Sequence, residues 1–185
     1  MITSHTLNAR RKQSGITLIE VSIGLIIAAI VAAAAFIAFQ NNARRTEVQD
    51  NIKQITEVIS ETKQKVGING GAGGYTGLTA DLAATLGILQ SNGQLNSYGQ
   101  TIGLAADATD PVNLAVLSWD GVEGDQCTDI VLAVGDAATT ITGPEGTWEL
   151  AGTGNNGPMS LVNAALVCGD DPDVVANLDI TFGRR

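Results

Sequence analysis

The 185-residue chain has one histidine, His5, and it lies in a basic stretch at the N-terminus. That excludes a histidine-based triad, a His-rich zinc site and imidazole acid–base chemistry from the rest of the chain. Two cysteines, Cys127 and Cys168, are too few for a four-thiolate metal centre. No lysine follows Lys65, and residues 66–185 contain 14 acids against two bases, Arg184 and Arg185. A surface this acidic repels phosphate, so this part of the chain has no electrostatic footprint for nucleic acid. Proline is missing before Pro111, so no proline kink interrupts a helix in the N-terminal part. Charged residues make up only 16% and hydrophobic ones 44%, which excludes an intrinsically disordered chain. Most enzyme chemistry is short of parts.

What is present falls into three regions. Residues 1–15 carry Arg10, Arg11 and Lys12 and no acid. Residues 16–66 are poor in glycine, whereas 20 of the 22 glycines fall in residues 66–185. From Ile16 to Phe39 runs one apolar stretch of 24 residues with a single charge, Glu20. As a helix it would span about 36 Å, enough for the hydrocarbon core of a bilayer. Beyond it, Val48, Ile52, Ile55, Ile59 and Val66 recur at helical spacing among charges, with Lys53–Glu57 and Glu61–Lys65 as i,i+4 pairs. The pattern predicts one long helix over 16–66, apolar over 16–39 and amphipathic thereafter, ending at Gly67.

The remaining residues, 67–185, read as a globular α+β head. The glycine run at 67–74 lacks the strand–turn–helix context and the Gly-Lys-Ser/Thr of a phosphate-binding loop. Short helices are expected over Thr79–Leu89 and after Asp125, the second with Cys127, Ile130, Val131 and Val134 on one face and Gly135 at its end. Strands are expected at Asn113–Trp119, leading into an Asp120-Gly121 turn, and at Ala137–Thr142, Thr147–Ala151 and Leu161–Val167. Strict alternation marks a last strand over Asn177–Phe182, with Leu178, Ile180 and Phe182 on one face. The expected architecture is a long N-terminal α-helix whose amphipathic half packs on an antiparallel β-sheet head with short helices.

A basic leader followed by an apolar run also describes a secretory signal peptide or a plain signal anchor. Against both stand Glu20, a carboxylate that costs a few kcal/mol to place in lipid, and a helical pattern that runs on well past any cleavage site.

The junction from Arg10 to Phe36, RRKQSG followed by ITLIEVSIGLIIAAIVAAAAF, resembles the class III signal of type IV prepilins. That family has a short basic leader ending in glycine, cleavage before an apolar residue, and a glutamate five positions into the mature chain. Here those positions are Gly15, Ile16 and Glu20. The segments 114–136 and 178–185 are similar to the type IVb class, typified by the toxin-coregulated pilin. The resemblance implies cleavage by the prepilin peptidase between Gly15 and Ile16 and N-methylation of Ile16. It implies an assembly contact in which Glu20 meets the free amine of a neighbouring copy. It further implies residence in the bacterial inner membrane, then transfer by the inner-membrane assembly machinery into an extracellular pilus (fimbrium) of identical copies. Removal of residues 1–15 leaves 170 residues with a net charge of −12.

A head outside the cytoplasm meets oxidising conditions, where Cys127 and Cys168 are expected to form a disulfide, as in the family. No catalytic residue, metal or cofactor is expected. The acids Asp120, Glu123 and Asp125, and again Asp170, Asp171 and Asp173, are clustered oxygen donors that could take calcium, although neither cluster matches an EF-hand and solvated turn acids are the favoured reading. Calcium would point to the runner-up, a pseudopilin of type II secretion acting as a periplasmic piston. A signal-anchored periplasmic enzyme is the third reading, and it lacks a nucleophile–base set. Adhesion, aggregation and conjugation are the family-level roles of the fibre.

Overall fold

A computed structural model describes residues 17–90, 94–151 and 157–184. The chain divides into two compact units, Met1–Ala43 and Arg44–Arg185. Among the described residues the first contains the apolar part of helix α1 (Leu18–Thr62). The second contains the rest of α1 and every other element.

Within the second unit the buried face of α1 is Asn51, Ile55, Val58, Ile59 and Thr62. Val48 and Ile52, expected in the stripe, are only half-buried. Two polar residues, Asn51 and Thr62, belong to the buried face, and both are satisfied. Asn51 donates through Nδ2 to Glu47 O (2.9 Å) and accepts the Trp119 indole N–H at Oδ1 (3.2 Å). Thr62 donates to Val58 O (2.6 Å). A buried polar group with its partners made costs little, which is why a periodicity argument based on apolar residues misses it. Of the two expected i,i+4 pairs, Glu61–Lys65 closes at 2.5 Å, while Lys53–Glu57 is not among the ion pairs of the described residues.

Gly67 does not stop the helix. The backbone continues as a wide π-helical turn, Lys63–Ile68, and Gly67 is needed for contact. A Cβ there would lie 2.7 Å from the Tyr75 hydroxyl.

The sheet has five antiparallel strands in the order β1-β2-β5-β3-β4. They are β1 (Gly103–Ala106), β2 (Leu114–Glu123), β3 (Thr140–Thr142), β4 (Thr147–Glu149) and β5 (Val175–Gly183). β5 alternates as its sequence predicts, burying Ala176, Leu178, Ile180 and Phe182. Leu117 faces Ile180 and Trp119 faces Leu178 across the β2–β5 ladder. Helix α1, the inner faces of these strands and the short helices share one core, in which Trp119, Trp148, Tyr75 and Phe182 are fully buried. Burying each such aliphatic or aromatic side chain contributes about 1.5–3 kcal/mol.

Several expected elements differ in the structure. β2 does not turn at Asp120-Gly121: the strand passes through a bulge between Trp119 and Val122 and ends at Glu123. Gly121 takes the positive φ (83°) that the bulge needs, and its N–H donates to Asn177 Oδ1. Helix α2 is only Ala80–Thr85, capped by the Thr79 hydroxyl accepting from Leu82 N–H and stopped by Gly87 at positive φ. It buries Ala83 and leaves Leu82 and Leu86 exposed. Helix α3 (Gly124–Val134) buries Cys127, Ile130, Val131 and Val134 as expected, but its N-cap is Glu123, with Asp125 in the first turn. Residues 135–137 form a 3-10 turn, so β3 begins only at Thr140, and β4 stops at Glu149.

The largest correction is at Leu161–Val167, expected as a strand and found within helix α4 (Leu161–Cys168). Its branched residues favour a strand locally. Ser160 caps it instead, accepting from Asn163 N–H, and the Ala164, Val167, Cys168 face packs into the core.

The glycine-rich connector is shaped by close approach. Gly74 has φ +53°, and a Cβ on it would lie 1.8 Å from Val112 O. Gly71 has φ +58° with open space around it. Gly74→Ala should therefore cost about 3 kcal/mol, strain plus clash, and lower the thermal midpoint by roughly 10 °C. Gly71→Ala should cost about 1–2 kcal/mol, the strain alone. Circular-dichroism melts of the two variants test this, and equal losses would refute the clash.

Candidate functional site

In the first unit, α1 presents an apolar surface with no core to cover it. Leu18, Ile19, Leu25, Ile30, Phe36 and Phe39 are each more than 60% exposed. By length and composition this helix is able to cross a membrane, and its most apolar window has no buried residue. So large an exposed apolar surface requires lipid or other protein around it.

The one ionisable group in this surface is Glu20, and it closes a capping box at the helix start. The N–H and Oγ1 of Thr17 both donate to Glu20 Oε2 at 2.9 Å. The Glu20 N–H returns a longer bond, 3.3 Å, to Thr17 Oγ1. Two residues on, Ser22 Oγ donates to Ile19 O at 2.9 Å. Sequence reasoning finds Glu20 and misses Thr17, although Thr-x-x-Glu before an apolar run is the signature of this box. Gly15 and Ile16, the expected cleavage and methylation positions, lie outside the described residues.

In the second unit Cys127 and Cys168 form a disulfide with Cα atoms 5.8 Å apart. It fastens α3 to α4, and both sulfurs are buried. The expected acid clusters are partly brought together. Glu123, Asp125 and Asp173 line a cleft of about 480 Å³ with Arg44, which forms an ion pair with Asp125. Asp171 Oδ1 accepts from the backbone N–H of Asp173 (3.0 Å). Among the described residues no three Asp, Glu, His or Cys side chains converge as a metal-ligand set. Trp119 and Trp148 both lie in the core, so neither is an exposed subunit contact.

Groups with shifted acidity in the second unit serve packing. Burial pushes the Tyr75 phenol up to about 12 against the opposing pull of Arg184, and its hydroxyl donates to Gly183 O (3.3 Å). Burial, then the negative charges of Glu47, Glu123 and Asp125, push Tyr98 further up. The Tyr98 hydroxyl donates to Gln126 Oε1 (2.6 Å), and Gln126 Nε2 donates to Glu123 (3.0 Å) and Glu47 (3.3 Å). Burial lowers Lys63, whose ammonium donates to Ala137 O (3.2 Å). Arg184 donates through Nε to Gly67 O (2.8 Å) and through Nη2 to Gly71 O (2.6 Å), tying the segment after β5 to the connector.

Residues 10–36 match the model of the prokaryotic N-terminal methylation motif. The fold is similar to the crystal structure of TcpA, a type IV pilin from Vibrio cholerae El Tor biotype. The TM-score is 0.54 and the identity 12%, over 74% of this chain and 98% of TcpA. No curated protein matches the chain in sequence.

Proposed function

We infer that this chain, which carries an N-terminal methylation motif and has a fold similar to that of a type IV pilin, is a structural subunit that polymerises through its apolar helix into a surface pilus. The observation that carries this reading is the uncovered apolar surface from Leu18 to Phe39 with one carboxylate, Glu20, at its start. In the membrane that surface faces lipid; in a fibre it faces the same surface on other copies. The change from one to the other brings little hydrophobic gain, since lipid tails are as apolar as leucine. A polar contact therefore has to favour the fibre. Glu20 against the amine freed at Ile16 of a neighbouring copy supplies it.

The finer reading is the type IVb class, supported by the resemblance of 114–136 and 178–185. The subunit waits in the inner membrane, is cut after Gly15 and methylated on Ile16 by the prepilin peptidase, and is passed to the assembly machinery. Adhesion, aggregation or conjugation is the role of the fibre. The chain's work is mechanical, and no reaction is proposed for it.

Mass spectrometry of the mature protein should find an N-terminus at Ile16, N-methylated, with the apolar run intact. Gly15→Arg should leave full-length precursor in the membrane. A mature N-terminus between Val31 and Phe39 would instead mark an ordinary signal peptide. Electron microscopy of sheared surface material separates a pilus from a pseudopilin, which would stay in the periplasm.

A further inference from the structure

We propose that Thr17 is a positioning residue for the assembly carboxylate: it holds Glu20 Oε2 on its own helix and leaves Oε1 to meet the incoming copy. This rests on the assembly role proposed for Glu20. The observation is the asymmetry of the box. Both donors of Thr17, N–H and Oγ1–H, converge on one oxygen, Oε2, at 2.9 Å. Among the described residues no donor reaches Oε1. An ionised carboxylate has acceptor capacity on both oxygens, so the box leaves half of it open.

Two consequences follow for a carboxylate in an apolar surface. While the subunit waits in lipid, two charge-assisted bonds from its own chain reduce the cost of keeping the group ionised. When a neighbour arrives, the carboxylate is already fixed in rotation, so pairing loses less side-chain freedom. The hydroxyl is essential because it donates to Oε2 while accepting from the Glu20 N–H. Serine preserves that double role; valine has the shape of threonine and neither function. Ser22, bonded to Ile19 O, completes the same design: the polar atoms of the first two turns find partners within the helix.

The test expresses each full-length variant beside the wild-type subunit in the native assembly system. The variant-to-wild-type ratio in sheared fibres is measured by mass spectrometry and divided by the same ratio among cleaved subunits in the membrane, which removes any effect on processing. Thr17→Val should be incorporated roughly fivefold less than wild type, on the scale of a lost cap, and Thr17→Ser within about twofold. The double variant Thr17→Val with Glu20→Val should match Glu20→Val alone, because Thr17 acts only through that carboxylate. Wild-type incorporation of Thr17→Val overturns the proposal. So does a failure of serine to rescue, or a double variant lower than Glu20→Val by the full fivefold. Normal incorporation of Glu20→Val overturns the assembly reading itself, a result distinct from the others.

Discussion

Glu20→Val should leave cleaved subunit in the membrane and reduce sheared fibre by at least roughly a hundredfold, the scale set by one unpaired buried charge. The substitution removes the only charge from the apolar run, so residence in the bilayer should be favoured. Among the described residues the Glu20 carboxylate accepts only from Thr17, so packing of the second unit has no reason to change. What should disappear is the proposed partner for a neighbour's Ile16 amine, and with it the contact proposed to prefer fibre to lipid. Subunit in the membrane fraction is compared with subunit in sheared fibres, mutant beside wild type. A normal fibre yield would show that the carboxylate is not the assembly contact and would favour a minor pilin or a pseudopilin.

Loss of the disulfide should be the largest effect on stability. The link spans 41 positions, and its removal should cost about 4 kcal/mol in the loop-entropy account. That corresponds to a fall of roughly 12 °C in the thermal midpoint for a chain of this size. Cys127→Ala and Cys168→Ala should lose similar amounts, and the double variant little more than either, since each removes the same bond. Alanine is the appropriate replacement because both positions are buried, where a serine hydroxyl would add a desolvation cost of its own. Two alkylatable thiols in the unreduced wild-type protein would contradict the claim, as would losses that add in the double variant.

The legible parts of the fold were those whose pattern repeats over many residues. The apolar run, the continuation of the helix and the alternation of β5 could be read directly, because period and burial agree there. The short elements could not. Helix α4 has eight residues with two valines, too few for a period to show, and its identity comes from the Ser160 cap and the core face that receives it. β2 runs past Asp120-Gly121 because β5 continues beside it, a fact of pairing that a turn-like dipeptide conceals. On α1, Asn51 is buried because Trp119 needs an acceptor, and that partner lies 68 residues away. At the candidate site, the carboxylate was visible as the one charge in an apolar stretch. Thr17 was not, because its role depends on two atoms meeting one oxygen.

The place of β5 in the sheet has a consequence for the order of events as the chain is made. Among the described residues β5 is made after the other four strands, yet it lies between β2 and β3 and supplies the pairing that joins the β1-β2 and β3-β4 hairpins. Until residues 175–183 emerge, those hairpins have open edges and the core lacks Leu178, Ile180 and Phe182. The latch made by Arg184 closes later still. The second unit therefore cannot mature piece by piece from its N-terminal side: pairing of such high sequence separation waits for residues 175–183 and is slow once it starts. For that interval the nascent subunit presents two unpaired strand edges, the surfaces by which chains aggregate. A premature stop just before Val175 should thus be as damaging as one that deletes the whole sheet.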